Sequence, residues 1–154
     1  MPNAFDLWGL AGTMFEEPDQ WAPAIGLISG ADTIAISGHT NPDGDALGSV
    51  LGLGLALRRH YPLKRIVQLL ADEAPVPRVY RFLPGADGLL PAARYEGDPD
   101  LFISVDAPTL ERLEDSAAVA TRARKRLTID HHPSQEFYAG ATCLYEKKAA
   151  CGEI

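Results

Sequence analysis

The chain has 154 residues, 46% apolar and 23% charged, which suits one globular domain with its own core and excludes a largely disordered chain. Its formal net charge is −7 with no long basic run, which excludes a broad cationic face for gripping duplex nucleic acid. No segment reaches the ~20 apolar residues of a membrane span, residues 1–6 lack the basic start of a secretory signal, and Cys143 and Cys151 read as free thiols, so the expected setting is the cytoplasm without a membrane partner.

Residues 1–30 form a leader and a first helix. The leader, 1–16, has little pattern and fits either a packed short helix or a tail. Glu17-Pro18-Asp19 resembles a helix start, and Trp21, Ala24, Ile25 and Ile28 form a helical stripe ending near Gly30. Residues 31–154 make the main domain. Residues 33–37, TIAIS, are β-branched and read as a buried strand. A loop rich in Gly, Pro, Asn and Asp follows over 38–45. A helix over 46–60 places Leu47, Leu51, Leu55 and Leu57 among its apolar positions. Gly48, Gly52 and Gly54 weaken that helix and make sense where another backbone comes close. Residues 65–70 are a second strand. Residues 76–83 suggest a short helix stopped by Pro84-Gly85. Residues 101–105, LFISV, are a third strand, and 109–122 a helix with Thr109 as cap and Glu111 in its first turn. Residues 127–129 are a fourth strand, and 149–154 resemble the beginning of a helix. This alternation predicts an α/β fold, a mainly parallel sheet with helices on both faces. Ligands in such folds bind beyond the C-terminal strand ends.

Three polar clusters occupy those ends. The first, HTNPDGDALGS, holds His39, Asp43 and Asp45 on a loop that Pro42 stiffens and Gly44 frees to turn. Read alone it is equally an Asp-rich turn with Asp45 capping the helix. Its mixed nitrogen and oxygen donors suit Mn²⁺, and also Zn²⁺ or Fe²⁺. The second, SVDAP, fixes Asp106 directly after a buried strand; alone it reads as a strand-end turn or helix cap. The third, DHHP, sets Asp130, His131 and His132 after the fourth strand, and adjacent histidines project to different sides. Three loops distant in sequence are therefore expected on one sheet edge.

The order HTNPDGDALGS, SVDAP, DHHP closely resembles the DHH phosphoesterase superfamily, and best its bacterial nanoRNase and 3′-phosphoadenosine 5′-phosphate phosphatase branch. The resemblance runs from about Thr33 to His132 and onward. It implies that His39 and Asp43 bind one metal and Asp45 another, with Asp106 bridging and His131 a further ligand. His132 would contact phosphate or assist proton movement, and Asp130 would orient the histidine pair. Asn41 matches a motif position without a firm role. The implied cofactor is two Mn²⁺ ions, with Mg²⁺ or another divalent metal as substitute, and the implied reaction is hydrolysis of short oligoribonucleotides or 3′-phosphoadenosine 5′-phosphate by metal-activated water. Short RNA oligonucleotides or nucleotides are then the partners, and a homodimer is compatible. The family's further aspartate ligand and its Gly-rich, substrate-binding C-terminal domain would lie past Ile154, so 31–154 is expected to be an incomplete catalytic domain. Two rival readings are a manganese-dependent inorganic pyrophosphatase, which shares these motifs, and a noncatalytic nucleotide-binding module. A third, a structural interaction module, would use Trp8 and Trp21 as its contact surface.

Overall fold

The computed structural model describes residues 21–133 and 139–154. The leader 1–16, Trp8 and the helix start at Glu17-Pro18-Asp19 lie outside the described residues. In chain order come α1 (Trp21–Gly30), β1 (Thr33–Ser37), α2 (Gly44–His60), β2 (Arg65–Leu70), a short β3 (Leu90–Pro91), β4 (Leu101–Val105), α3 (Asp115–Arg122), β5 (Lys125–Asp130) and β6 (Ala141–Leu144). The six strands form one parallel sheet in the order β3-β2-β1-β4-β5-β6.

Alternate side chains of the strands face two cores. Ile34, Ile36, Leu101, Ile103, Val105, Leu127 and Ile129 pack with Ala24 and Ile28 of α1 and Val50 and Leu57 of α2. Ala35, Leu69 and Phe102 point to the other face, against Val119 and Ala120 of α3. Both faces are covered, as the near-continuous apolar strands require. Burying a side chain such as Phe102, which has no exposed surface, contributes about 1.5–3 kcal/mol. Trp21 packs against the first core and stacks on Tyr145 at 6.2 Å between ring centroids, so it anchors α1.

The sequence expectations for β1, β2 and β4 coincide with the observed strands. β3 and β6 were not expected. Leu47, Leu51 and Leu57 are buried, whereas Leu55 is exposed. Of Gly48, Gly52 and Gly54, only Gly54 has the close approach invoked for them, and what approaches is a side chain, the Gln68 amide, rather than a backbone; Gly48 and Gly52 face open space.

Two expected helices are shorter. Over 76–83 only a single 3₁₀ turn forms at Arg78–Tyr80, where Pro75, Pro77 and Pro84 withhold three backbone donors. Over 109–122 a 3₁₀ turn at Glu111–Leu113 precedes α3, and Glu114 between them adopts φ 42°. The Arg112 carbonyl accepts from Thr40 N–H at 2.8 Å, so it supports the loop after β1 instead of a helical turn. The cap position of that 3₁₀ turn falls to Leu110 rather than Thr109, although the Thr109 hydroxyl accepts from Arg112 N–H at 3.3 Å. The segment after 149 is a 3₁₀ turn, Cys151–Glu153.

The strand order reverses between β1 and β4, and a crevice opens at such a switch point beyond the strand ends. Register aligns the three polar loops there. Ser37 pairs with Ser104, and Val105 with Ile129. Carrying those pairings forward puts His39, Asp106 and Asp130 side by side just past the sheet.

Candidate metal centre

Asp106 lies at the middle of the crevice. It is 2% exposed, and its backbone takes φ 56°, a left-handed conformation that Asp tolerates better than most residues. That turn, held by Asp106 N–H donating to the Ile129 carbonyl at 3.1 Å, aims the carboxylate across the strand tips. On one side His39 Nε2 stands 3.6 Å from Asp106 Oδ2. On the other, His131 Nε2 and His132 Nδ1 stand 3.2 and 3.6 Å from Oδ1.

His39 and His131 are held alike. His39 Nδ1 hydrogen-bonds the Thr40 carbonyl at 2.7 Å, and His131 Nδ1 the Lys148 carbonyl at 3.0 Å. A carbonyl only accepts, so each Nδ1 carries the proton and each Nε2 presents a lone pair towards Asp106 when the ring is neutral. The hydrogen bond with Asp106 is the main influence raising the pKa of His39, against its burial. Burial alone would lower that of His131, but the Lys148 carbonyl and the charges of Asp106, Asp45 and Asp130 together raise it.

Asp43 and Asp45 diverge, as two carboxylates on one stiff turn can. Asp43 Oδ1 caps α2, accepting from the N–H groups of Asp45 and Ala46 at 3.0 Å each, and lies 3.8 Å from His39 Nε2. The cap expected at Asp45 thus falls to Asp43. Asp45 accepts from Cys151 N–H at 2.7 Å, Gly152 N–H at 3.1 Å and the Ser49 hydroxyl at 3.2 Å, with Oδ2 3.5 Å from His131 Nε2. Asp130 is fully buried. Its Oδ1 accepts from the backbone of His131 at 2.7 Å and of His132 at 3.2 Å, and from His132 Nδ1 at 2.7 Å. Asp130 therefore sets the ring of His132 directly, while the ring of His131 is set by Lys148.

Two groups of donors result, His39, Asp43 and Asp106 on one side, and Asp106, Asp130, His131 and His132 on the other, each with donor atoms within 4.8 Å of one another. Asp106 belongs to both. Asp45 stands at the edge of the second through His131. Neighbouring ligands of one cation, at bonds of about 2.1 Å, lie about 3 Å apart, close to the spacings around Asp106. Moreover, Asp106 Oδ1 is buried without a hydrogen-bond partner among the described residues. Such an oxygen is costly unless a cation or proton satisfies it. The donor set fits divalent metal.

Sequence reasoning missed the second layer. Asp72 accepts from the Thr40 hydroxyl at 2.5 Å and from Asn41 N–H at 2.8 Å, holding Asn41 at φ 49° and with it the loop of His39. Its position directly after β2, at the same sheet edge, was the available signal. The Lys148 carbonyl and the amides of Cys151 and Gly152 carry no side-chain signature at all.

The family model described as "DHH family, N-terminal domain" matches residues 33–153. The chain belongs to the DHH family. Members of the DHH family are phosphoesterases dependent on divalent metal, and the Asp/His groups of the crevice could bind such an ion. A probable bifunctional oligoribonuclease and PAP phosphatase, NrnA, from Streptococcus mutans is 29% identical over 127 residues, 82% of this chain and 38% of that relative. The chain thus spans well under half the length of this DHH relative. An exopolyphosphatase-related protein from Bacteroides fragilis, 23% identical, shares the fold with a TM-score of 0.77 over 88% of this chain and 41% of its own. No described helix is long and apolar enough to cross a membrane.

Proposed function

We propose that this DHH domain is the metal-binding half of a Mn²⁺-dependent phosphoesterase that hydrolyses short oligoribonucleotides, 3′-phosphoadenosine 5′-phosphate, or both. The observation that carries the reading is Asp106, a buried carboxylate flanked by His39 and His131 and shared by both donor groups. The S. mutans relative, named for these two substrates, supports the choice of substrate class.

In this reading His39 and Asp43 would hold one cation and Asp45 and His131 a second, with Asp106 contributing to both. Divalent ions so held supply Lewis-acid polarisation of phosphoryl oxygens and lower the pKa of water. The chain's own residues do the rest. Asp130 fixes the Nδ1 proton of His132, and in this reading the ring so oriented meets the phosphoryl group or carries a proton. His132 is 38% exposed, enough for a substrate to reach it. The first N–H groups of α2 are taken by Asp43 itself, so helix α2 contributes its dipole rather than free donors.

The test is the full-length protein assayed with Mn²⁺ on di- to pentaribonucleotides, 3′-phosphoadenosine 5′-phosphate and pyrophosphate. Turnover of either of the first two, lost in Asp106→Ala, is expected. Turnover of pyrophosphate alone would replace this reading with a pyrophosphatase. Metal-dependent binding of nucleotides without turnover would leave a noncatalytic module. An active, fully metallated Asp106→Ala enzyme would remove Asp106 from its central role.

A further inference from the structure

A second concavity lies on the same edge of the sheet, at the tips of β2 and β3. This cleft, about 520 Å³, has Leu70, Val76 and Leu89 as apolar lining, with Glu73, Arg81 and Arg94 among its polar groups. Asp87 adds a second carboxylate. Two links of consecutive residues tie it to the metal centre. Asp72 holds the loop of His39, and Glu73, the next residue, lines the cleft. Tyr80 packs on Gly44, between Asp43 and Asp45, and Arg81, the next residue, lines the cleft. Parallel strands lie about 4.8 Å apart, so the β2 and β3 tips stand roughly 10–15 Å from that of β4, about the span from a phosphate to the far side of its own nucleoside.

The cleft's chemistry selects among ligands. Two guanidiniums are matched by two carboxylates, so the cleft has no net charge with which to hold a second phosphate. An apolar floor with both donors and acceptors around it suits a neutral heteroaromatic ring. The planar guanidinium can stack on such a ring, and carboxylates can accept from its exocyclic amino group. Arg81 Nε donates to the Val76 carbonyl at 2.9 Å, which braces that guanidinium against the wall. We infer that the cleft receives the base of a nucleotide whose phosphate sits at the loops of His39, Asp106 and His131, an inference that rests on the phosphoesterase reading above. The cleft would make the enzyme selective for nucleotides over phosphate esters without a base.

The experiment compares adenosine 5′-monophosphate with ribose 5-phosphate, binding each to the Mn²⁺-loaded chain by calorimetry and mapping each by backbone amide shifts in the chain loaded with diamagnetic Mg²⁺. The nucleotide is expected to bind at least about tenfold more tightly and to shift the amides of Glu73, Ala74, Val76, Asp87, Leu89 and Arg94, which ribose 5-phosphate leaves in place. Ala74→Trp fills the cleft from an exposed lining position, and Arg94→Ala removes an exposed guanidinium; neither position lies in the metal loops. Each is expected to shrink the tenfold preference while Mn²⁺ affinity stays unchanged. Equal binding of the two ligands, shifts confined to the metal loops, or an undiminished preference in both variants overturns the inference. Cleft shifts and a surviving preference in a protein that turns over no phosphoester would uphold the cleft and sink the enzymatic reading instead.

Discussion

Asp106 owes its place to three local facts: an apolar strand that cannot slip, a left-handed turn at its own backbone, and histidines from two other loops on either side. The sequence shows the first and hints at the third; the turn is invisible there, because Asp adopts ordinary backbone angles more often. At Asp130 the family resemblance implies a carboxylate orienting the histidine pair, and the geometry narrows that to the ring of His132. Asp130→Ala is accordingly expected to lower turnover about 10–100-fold while the donors of His39, Asp106 and His131 keep most of the bound metal; metal content measured beside kcat separates the two effects. Loss of all bound metal would show that Asp130 acts on the site as a whole. Protons compete for the same lone pairs. His39 and His131 both have raised pKa values in the metal-free protein, so each adds stability below its ordinary value near 6.5 that is lost as pH rises through the raised value. A cation needs these rings neutral, so Mn²⁺ affinity should climb as pH rises through the raised values of His39 and His131. A flat profile by calorimetry would mean that neither ring is a ligand.

Elements whose sequence speaks with one voice were legible, and those shaped by distant partners were not. β1 and β4 are bounded, largely apolar and buried except at Thr33, and both ends coincide with expectation. β6 is four residues after Gly140 and pairs only with β5, too short for any periodicity to emerge. The helix expected over 109–122 failed because the Arg112 carbonyl serves Thr40, a contact 72 residues back in the chain. Gly54 in α2 shows the same dependence on a partner. A methyl there would meet Gln68 Nε2, whose hydrogen bonds to the Val50 and Leu51 carbonyls fasten α2 to β2. Gly54→Ala improves helix propensity by about 1 kcal/mol, but displacing that buried amide costs about 2–3 kcal/mol, so a net fall in Tm is expected in thermal unfolding. A rise would mean that Gln68 swings aside freely. At the opposite end of the sheet, Asp100 Oδ2 accepts from Asp32 N–H, Thr33 N–H and the Thr33 hydroxyl, joining β1 to β4. Those bonds to Thr33 depress the Asp100 pKa, so its contribution is present above the ordinary carboxylate value and fades as pH falls through the depressed one. Asp100→Asn should be less stable than the parent at neutral pH, and the Tm gap should close in acid; a gap constant with pH would locate its contribution in shape rather than charge.

Across the molecule, the sheet gathers what the chain separates by more than 90 residues, from His39 to His132. Alternating strands and helices were enough to place the three polar loops on one edge. Strand order and register, which set who faces whom, are decided by helix packing on the two faces and leave no mark in any single segment. The cost of the gathering is an acidic crevice. Asp43, Asp45, Asp106 and Asp130 crowd the strand tips, and Asp106 Oδ1 is left without a hydrogen bond among the described residues. Above the raised titration range of His39 and His131, where both rings are neutral, this crowding opposes folding unless a cation is present. Two opposite results should follow from one substitution. In the metal-free protein at that pH, Asp106→Ala should hold or raise Tm, because a buried, poorly satisfied charge disappears. With Mn²⁺ at a hundredfold excess over its Kd, the parent should gain about 2.7 kcal/mol, a rise of roughly 5–10 °C for a chain of this size, and the Asp106→Ala variant should gain little. Thermal melts of both proteins, with and without metal, decide the matter: if the variant melts lower than the parent without metal and rises equally with it, the carboxylate is a structural strut and the cations, if bound, sit elsewhere.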